Sequence, residues 1–232
     1  MKKAVEPSAE RPAKAFSSEV ATGSRKENAS KQESGAPFRS HRNEKGPRAA
    51  DRIRASAAEL FYREGIRAVG VDEVVDRAGV TKPSLYRSFA SKDDLAAAYM
   101  RDYDIAFWED FEKPDGKSYA DPREHVLAYV RGLSTRAVRK GYRGCGLSNA
   151  TVEYPARDNP ARQVAEAHKK VFRKRLRELA SSMGARHPAV LGDALLLLIE
   201  GIYSTGQQSE DGPAQSALAV AKLLIDASVP KG

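Results

Sequence analysis

The side chains best placed for chemistry lie in one short stretch. Lys82, Ser84, Tyr86 and Arg87 follow the tetrapeptide Ala78-Gly79-Val80-Thr81, and all four project off the face defined by Leu85 and Phe89. They supply an ammonium, two hydroxyls and a guanidinium, a donor set suited to recognition. Glycine permits a left-handed turn, Val80 packs inward and Thr81 restarts the helix, which is the spacing of a helix-turn-helix. A helical hairpin in an ordinary bundle shares that turn. A core-supporting helix only about two turns long, however, has no need to display such a set. Catalysis has no comparable constellation. His41, His125, His168 and His187 are scattered, with no His-x3-His or Glu-x-x-His spacing and no Gly-rich phosphate loop. Neither a metal nor a cofactor is expected.

The elements that must hold these side chains are helices. Ile53, Ala57, Leu60 and Phe61 recur at i, i+4, i+7 and i+8 before Gly65. Val71, Val74, Val75 and Ala78 repeat the pattern before Gly79. Thr81 is placed to cap the third helix. Ser91-Lys92-Asp93-Asp94, an acidic variant of the capping box, opens a long helix through Leu95, Tyr99, Tyr103 and Phe107. Asp121-Pro122 and Asn159-Pro160 start further helices, a short one covers 146–154, and Pro188 and Pro213 each begin one more. With no alternating strand pattern, the expected fold is all-α with about nine helices.

Composition bounds the rest. The chain has 232 residues, 41% hydrophobic and 30% charged, enough to bury a core, with net charge +8. Residues 1–46 are rich in Ser, Ala, Lys, Glu and Pro and carry 10 Lys/Arg against 6 Asp/Glu, so a flexible basic tail is expected. Residues 47–95 carry 9 against 8, so the helix-turn-helix unit must work by placement rather than by bulk charge. The most apolar run, Ala194 to Ile199, is six residues long between Asp193 and Glu200. That falls short of the ~18 a spanning helix needs, so no membrane association is expected. The single cysteine, Cys145, excludes an internal disulfide framework and a structural zinc site, and a reducing cytoplasm is the natural home. Its apolar surroundings favour packing over redox chemistry.

Gly65-Ile66-Arg67-Ala68, Val71-Asp72-Glu73-Val74-Val75, the run Ala78 to Phe89 and Ser91-Lys92-Asp93-Asp94-Leu95 resemble the TetR (tetracycline-repressor-like) family of bacterial transcriptional regulators. The likeness covers about 50 residues without gaps; Gly144-Cys145 through Glu153 is similar to a segment opening the sixth helix in many members. It implies a DNA-binding domain over 47–95 and an effector-binding and dimerisation domain over 96–232. Lys82, Ser84 and Arg87 then reach base edges or flanking phosphates in the major groove, with Arg87 the first choice for guanine. Thr81, Tyr86 and Lys92 contact phosphates, and Arg48 and Arg52 touch the backbone from the first helix. Position 70 departs from the family pattern: Gly70 leaves a backbone N–H contact where a hydroxyl is common.

The resemblance further implies a homodimer, with the last two long helices paired across a two-fold; Leu191, Leu195, Leu198, Ile202, Leu218, Leu224 and Ile225 are the candidates. A palindromic operator and repression, the family's commoner mode, follow from it. Members often bind a small effector among the middle helices. Here Trp108, Phe111, Tyr129, Asn149, His168, Phe172 and Tyr203 are candidates to line an apolar or aromatic site near Trp108, Asn149 and Phe172, although aromatics at helical spacing are more often plain core. The basic run Lys169, Lys170, Arg173, Lys174 and Arg177 is expected to be solvated surface. Two other readings are weighed: a sequence-independent architectural DNA binder using the basic tail, and a helical enzyme.

Overall fold

A computed structural model describes residues 48–206 and 212–230, and the tail expected over 1–46 lies outside them. Among the described residues there are nine α-helices and no strand. They are α1 (Ala49–Glu64), α2 (Val71–Ala78), α3 (Lys82–Ser88), α4 (Lys92–Glu112), α5 (Pro122–Ala137), α6 (Gly146–Glu153), α7 (Pro160–Ser182), α8 (Pro188–Thr205) and α9 (Ala217–Ser228).

Local chemistry sets most of the boundaries. Gly79 ends α2 in the left-handed region, φ 60° and ψ 44°, where other residues are strained. The Ser91 hydroxyl accepts from the Asp94 amide at 3.0 Å and donates to the Asp94 carboxylate, so aspartate serves where glutamate is usual. Asp121 and Asn159 cap α5 and α7 ahead of a first-turn proline. Two expectations are corrected. Pro213 opens a 3-10 turn, closed by Gln215 N–H on Gly212 O, and α9 starts only at Ala217. Thr81 caps no amide; its hydroxyl meets that of Ser84 at 3.2 Å.

Helices α1, α2 and α3 close on Ile53, Leu60, Val74 and Leu85, each 0–1% exposed. Helix α4 leaves this unit unbroken and supplies Phe107 and Phe111 to a second core. There Phe107, Phe111, Tyr129 and Phe172 pack mainly edge to face, with ring centroids 4.8–6.2 Å apart. His168 lies inside this cluster, 4.4 Å from Phe107, and its Nδ1 shares a proton with the Asp104 carboxylate at 2.7 Å. Burial holds this imidazole below its ordinary pKa despite Asp104; Lys169 pushes the same way and Glu200 the other.

Helix α8 is apolar well beyond its six-residue run. Over Pro188–Thr205 its mean hydropathy is 1.3, so among the described residues it is long and apolar enough to cross a membrane by length and composition. A third of it is buried against protein. Its two acidic residues are ion-paired to α7: both Arg173 and Arg177 donate to Asp193 at 2.6–2.8 Å, and Lys169 pairs with Glu200. The two guanidiniums hold the Asp193 carboxyl well below the usual range. The basic face of α7 is therefore partly a clamp rather than a solvated surface. Contact is closest at Gly192, where an added Cβ would stand 2.6 Å from Arg177 Cγ and 2.7 Å from its Cα.

Two outcomes follow from this packing. Gly192→Ala forces α7 and α8 apart and should cost about 1–3 kcal/mol, read as a drop of several degrees in Tm. An unchanged melt would show that the helices yield freely. The folded chain favours neutral His168, so the unfolded chain takes up the proton first as pH falls. Stability from this site is complete above the unfolded value of about 6.5 and is lost below it. Thermal melts from about pH 8 to about pH 5.5 should show a steeper loss for wild type than for His168→Gln; parallel slopes would contradict this assignment.

Candidate functional site

The third helix is held from beneath by Leu85, which is fully buried, while Thr81, Lys82, Tyr86 and Arg87 stand exposed and Ser84 is half-buried. The anticipated donor set is thus brought onto one outward surface. Its members are already engaged with one another. Arg87 Nη2 donates to the Ser84 hydroxyl at 3.2 Å, and Lys82 Nζ meets the Asp72 carboxylate of α2 at 2.6 Å in an exposed pair. That carboxylate raises the Lys82 pKa. An exposed pair of this kind is weak, so either cation exchanges readily to a phosphate.

The flanking candidates occupy different settings. Gly70 is the N-cap of α2, with extended backbone and only the Asp72 amide within 4 Å of an added Cβ. Arg48 precedes α1 and lies 3.5 Å from Asp51, and Arg52 is exposed one turn on. Lys92 is drawn inward: its ammonium donates to Arg67 O at 3.2 Å, and burial lowers its pKa. It closes the α1–α2 connection.

That connection is also the joint with the rest of the molecule. Tyr62 at the end of α1 accepts from Arg143 N–H at 3.1 Å and donates to Gly144 O at 3.3 Å. Glu153 of α6 accepts from Arg67 N–H at 2.9 Å, and Arg67 Nη1 donates to Glu153 O at 3.4 Å. Arg54 of α1 pairs with Asp102 of α4.

Beside this joint lies a cavity of about 260 Å³ lined by Tyr62, Tyr103, Phe107, Tyr129, Leu133, Arg136, Arg139, Lys140, Gly141, Tyr142, Gly144, Cys145 and Tyr203. It lies away from the expected place. Of the residues anticipated there, only Tyr129 and Tyr203 line it, their hydroxyls 2.7 Å apart. Phe111, His168 and Phe172 are sealed in the aromatic core, whose interlocked rings leave no room for a guest. Trp108 borders a shallow depression with Glu112 and Val171, and Asn149, which donates to Arg143 O, lies in a separate groove beside Val152 and Glu153. Arg136 comes from the end of α5, and Arg139, Lys140 and Tyr142 from the segment between α5 and α6, where the sequence analysis places no site residue. The signal was present there: three basic residues and a tyrosine within 139–143, too short for a helical period.

The expected dimer residues are also redistributed. Leu191, Leu195, Ile202 and Ile225 are 0–1% exposed and belong to the protomer's own core, while Leu198, Leu218 and Leu224 are half-buried. The outward apolar side chains are Val190 and Leu197 on α8, 68% and 73% exposed, with Val220 and Leu223 on α9. A helix that is apolar all round gives no sequence signal for which face turns inward.

The family model for bacterial regulatory proteins of the TetR family matches residues 53–99, the span of α1 to the start of α4. The transcriptional activator FasR of Mycolicibacterium smegmatis is 48% identical over 46 residues, 20% of this chain and 21% of that protein. The transcriptional repressor BdcR of Escherichia coli is 41% identical over 49 residues, 21% of this chain and 25% of that one. The chain thus aligns with only a fifth to a quarter of these relatives' length, and one is an activator while the other is a repressor. Likeness in fold extends further. The crystal structure of a TetR-family transcriptional regulator from Streptomyces coelicolor superposes with TM-score 0.73 at 28% identity, over 78% of this chain and 96% of that one. The helix-turn-helix at Gly79, the donors displayed over Leu85 and the helical body behind them accord with these likenesses: residues 53–99 form a TetR-family DNA-binding domain, and the body behind it has the fold of TetR-family regulators.

Proposed function

We propose that the chain is a sequence-specific DNA-binding transcriptional regulator, acting as a homodimer on a palindromic operator and releasing it when a small molecule binds. The observation that carries this reading is the set of exposed donors on α3 over a buried Leu85, because such a surface suits base edges and phosphates and serves no purpose in the core. Arg87 reads guanine, Lys82, Ser84, Thr81 and Tyr86 add base or phosphate contacts, and Gly70, Arg48, Arg52 and Lys92 position the unit. Repression is the reading adopted. Exposed Val190 and Leu197 on α8 and Val220 and Leu223 on α9 support pairing of two copies, since the two helices pack together and leave these large apolar side chains uncovered.

The unbroken α4 supports the switching. It carries 21 residues from the DNA-binding unit to the aromatic core, so a small shift at its far end alters the separation of two recognition helices. A preference of ~2–3 kcal/mol for the DNA-incompetent spacing lowers operator affinity by tens to over a hundredfold.

Selection of bound genomic fragments should recover inverted repeats with half-site centres about 34–36 Å or a multiple apart, bound ~10³-fold or more above random DNA. Equal affinity for both would establish the architectural alternative. Arg87→Ala should cost about 1–3 kcal/mol on operator and leave random DNA unchanged, whereas Arg52→Ala should weaken both alike. If Arg87→Ala weakened both equally, the readout assignment would be wrong. In sedimentation, Leu197→Glu with Leu223→Glu should convert a micromolar dimer to a folded monomer; a wild-type monomer, or an unaffected variant dimer, would refute this interface.

A further inference from the structure

The two cations of α3 are held in different directions. The Arg87 guanidinium lies back along its own helix, with Nη2 donating to the Ser84 hydroxyl at 3.2 Å, and that hydroxyl shares a hydrogen bond with the Thr81 hydroxyl at 3.2 Å. One of five N–H donors is thereby engaged, which leaves an edge of the fork to match guanine O6 and N7. The Lys82 ammonium instead crosses to α2 and stands 2.6 Å from the Asp72 carboxylate. Asp76, one turn further along α2, adds its field to the same ammonium.

Asp72 lies in the first turn of α2, two residues after the Gly70 N-cap, and its side chain is 74% exposed against 53% for Lys82. The basic residue of α2, Arg77, is turned away to Glu59 of α1 at 2.8 Å, so the charges of α2 that Lys82 meets are both acidic. A carboxylate on this surface costs affinity for a polyanion. Each phosphate that a cation neutralises adds about 0.9 to the salt slope of binding, and a Lys82 held by Asp72 adds nothing until it lets go. The pair is exposed and therefore weak enough to open when a phosphate is brought to it. Base contacts bring it: once Arg87 seats α3 in the groove, the DNA backbone beside α2 comes within reach of the ammonium. On a sequence that does not seat α3 the phosphate stays farther off, and Lys82 stays with Asp72.

We propose that Asp72 is a specificity-determining residue, which withholds Lys82 from the DNA backbone until base recognition seats α3. The proposal rests on the regulator reading and divides the labour within it, with Lys82 on phosphate and Arg87 on base. Random DNA is then bound without the Lys82 contact and operator with it. An aspartate that touches no DNA thus widens the gap between the two.

Binding isotherms of the full chain between about 50 and about 200 mM salt test it, on the tightest fragment from the genomic selection and on a scrambled duplex of equal length. For Asp72→Asn the salt slope on scrambled DNA should steepen by about 0.9 for each head in contact, with affinity several-fold higher. On the selected fragment the slope should stay as in wild type and the affinity should rise less than about threefold, the cost of opening an exposed pair. With Lys82→Gln already present, Asp72→Asn should steepen neither slope. Both side chains are exposed, so Tm should stay near wild type, and Asp72→Ser should reproduce Asp72→Asn. Equal steepening on both duplexes, or steepening that persists in Lys82→Gln, would reduce Asp72 to one negative charge among others and overturn the proposal. No change on either duplex would overturn it too. Any of these results from a protein that still prefers the selected fragment defeats this inference alone, whereas wild type that prefers neither duplex defeats the regulator reading beneath it.

Discussion

The hydrogen bonds of Tyr62 are the constraint on which the functional architecture depends. This side chain leaves the end of α1, lines the cavity and holds both the amide of Arg143 and the carbonyl of Gly144. The loop over the cavity therefore cannot move without pulling on the helix that buttresses α3. Glu153 reinforces the same joint by accepting the Arg67 amide, and Lys92 closes it by donating to Arg67 O. Each contact is a single polar bond across a half-exposed seam, worth about 0.5–1.5 kcal/mol. A seam of that strength transmits displacement yet yields to a modest perturbation.

Behind the seam the body is stiff. Arg173 and Arg177 grip Asp193, Lys169 holds Glu200, and Gly192 lets α7 and α8 approach until Arg177 backbone fills the space a side chain would take. The interlocked rings around Phe107 and Phe172 leave little freedom there. Rigid body, polar seam and small reading head together favour motion of the head as a unit. The acidic residues of α8 serve the inner face of that helix and leave Val190 and Leu197 outward, so one helix completes the protomer core and still carries exposed apolar side chains.

Much of this was legible in the sequence where a local rule acts alone. Gly79, Ser91, Asp121 and Asn159 each fix a helix end by backbone chemistry, and all four act at the ends expected of them. The buried Leu85 beneath an exposed donor set follows from period alone. Reading fails where two faces compete. Helix α8 is apolar on every side, so Leu191 and Leu195 were indistinguishable in type from Leu197, and only packing against α7 turned the former inward. The cavity was misplaced for a related reason: Phe111, His168 and Phe172 fill space when they meet, and only the third dimension reveals that they meet. Arg139, Lys140 and Tyr142 lie in a loop, where no period predicts direction.

The central claim is that cavity loop and reading head are one mechanical unit joined at Tyr62. Amide hydrogen exchange compared between wild type and Tyr62→Phe tests it most directly. The account predicts faster exchange in two separated segments together, the loop 139–146 and the α1–α2 connection 65–70, with the α7–α8 body unchanged. Faster exchange confined to Arg143 and its immediate neighbours, with 65–70 as protected as before, would contradict it.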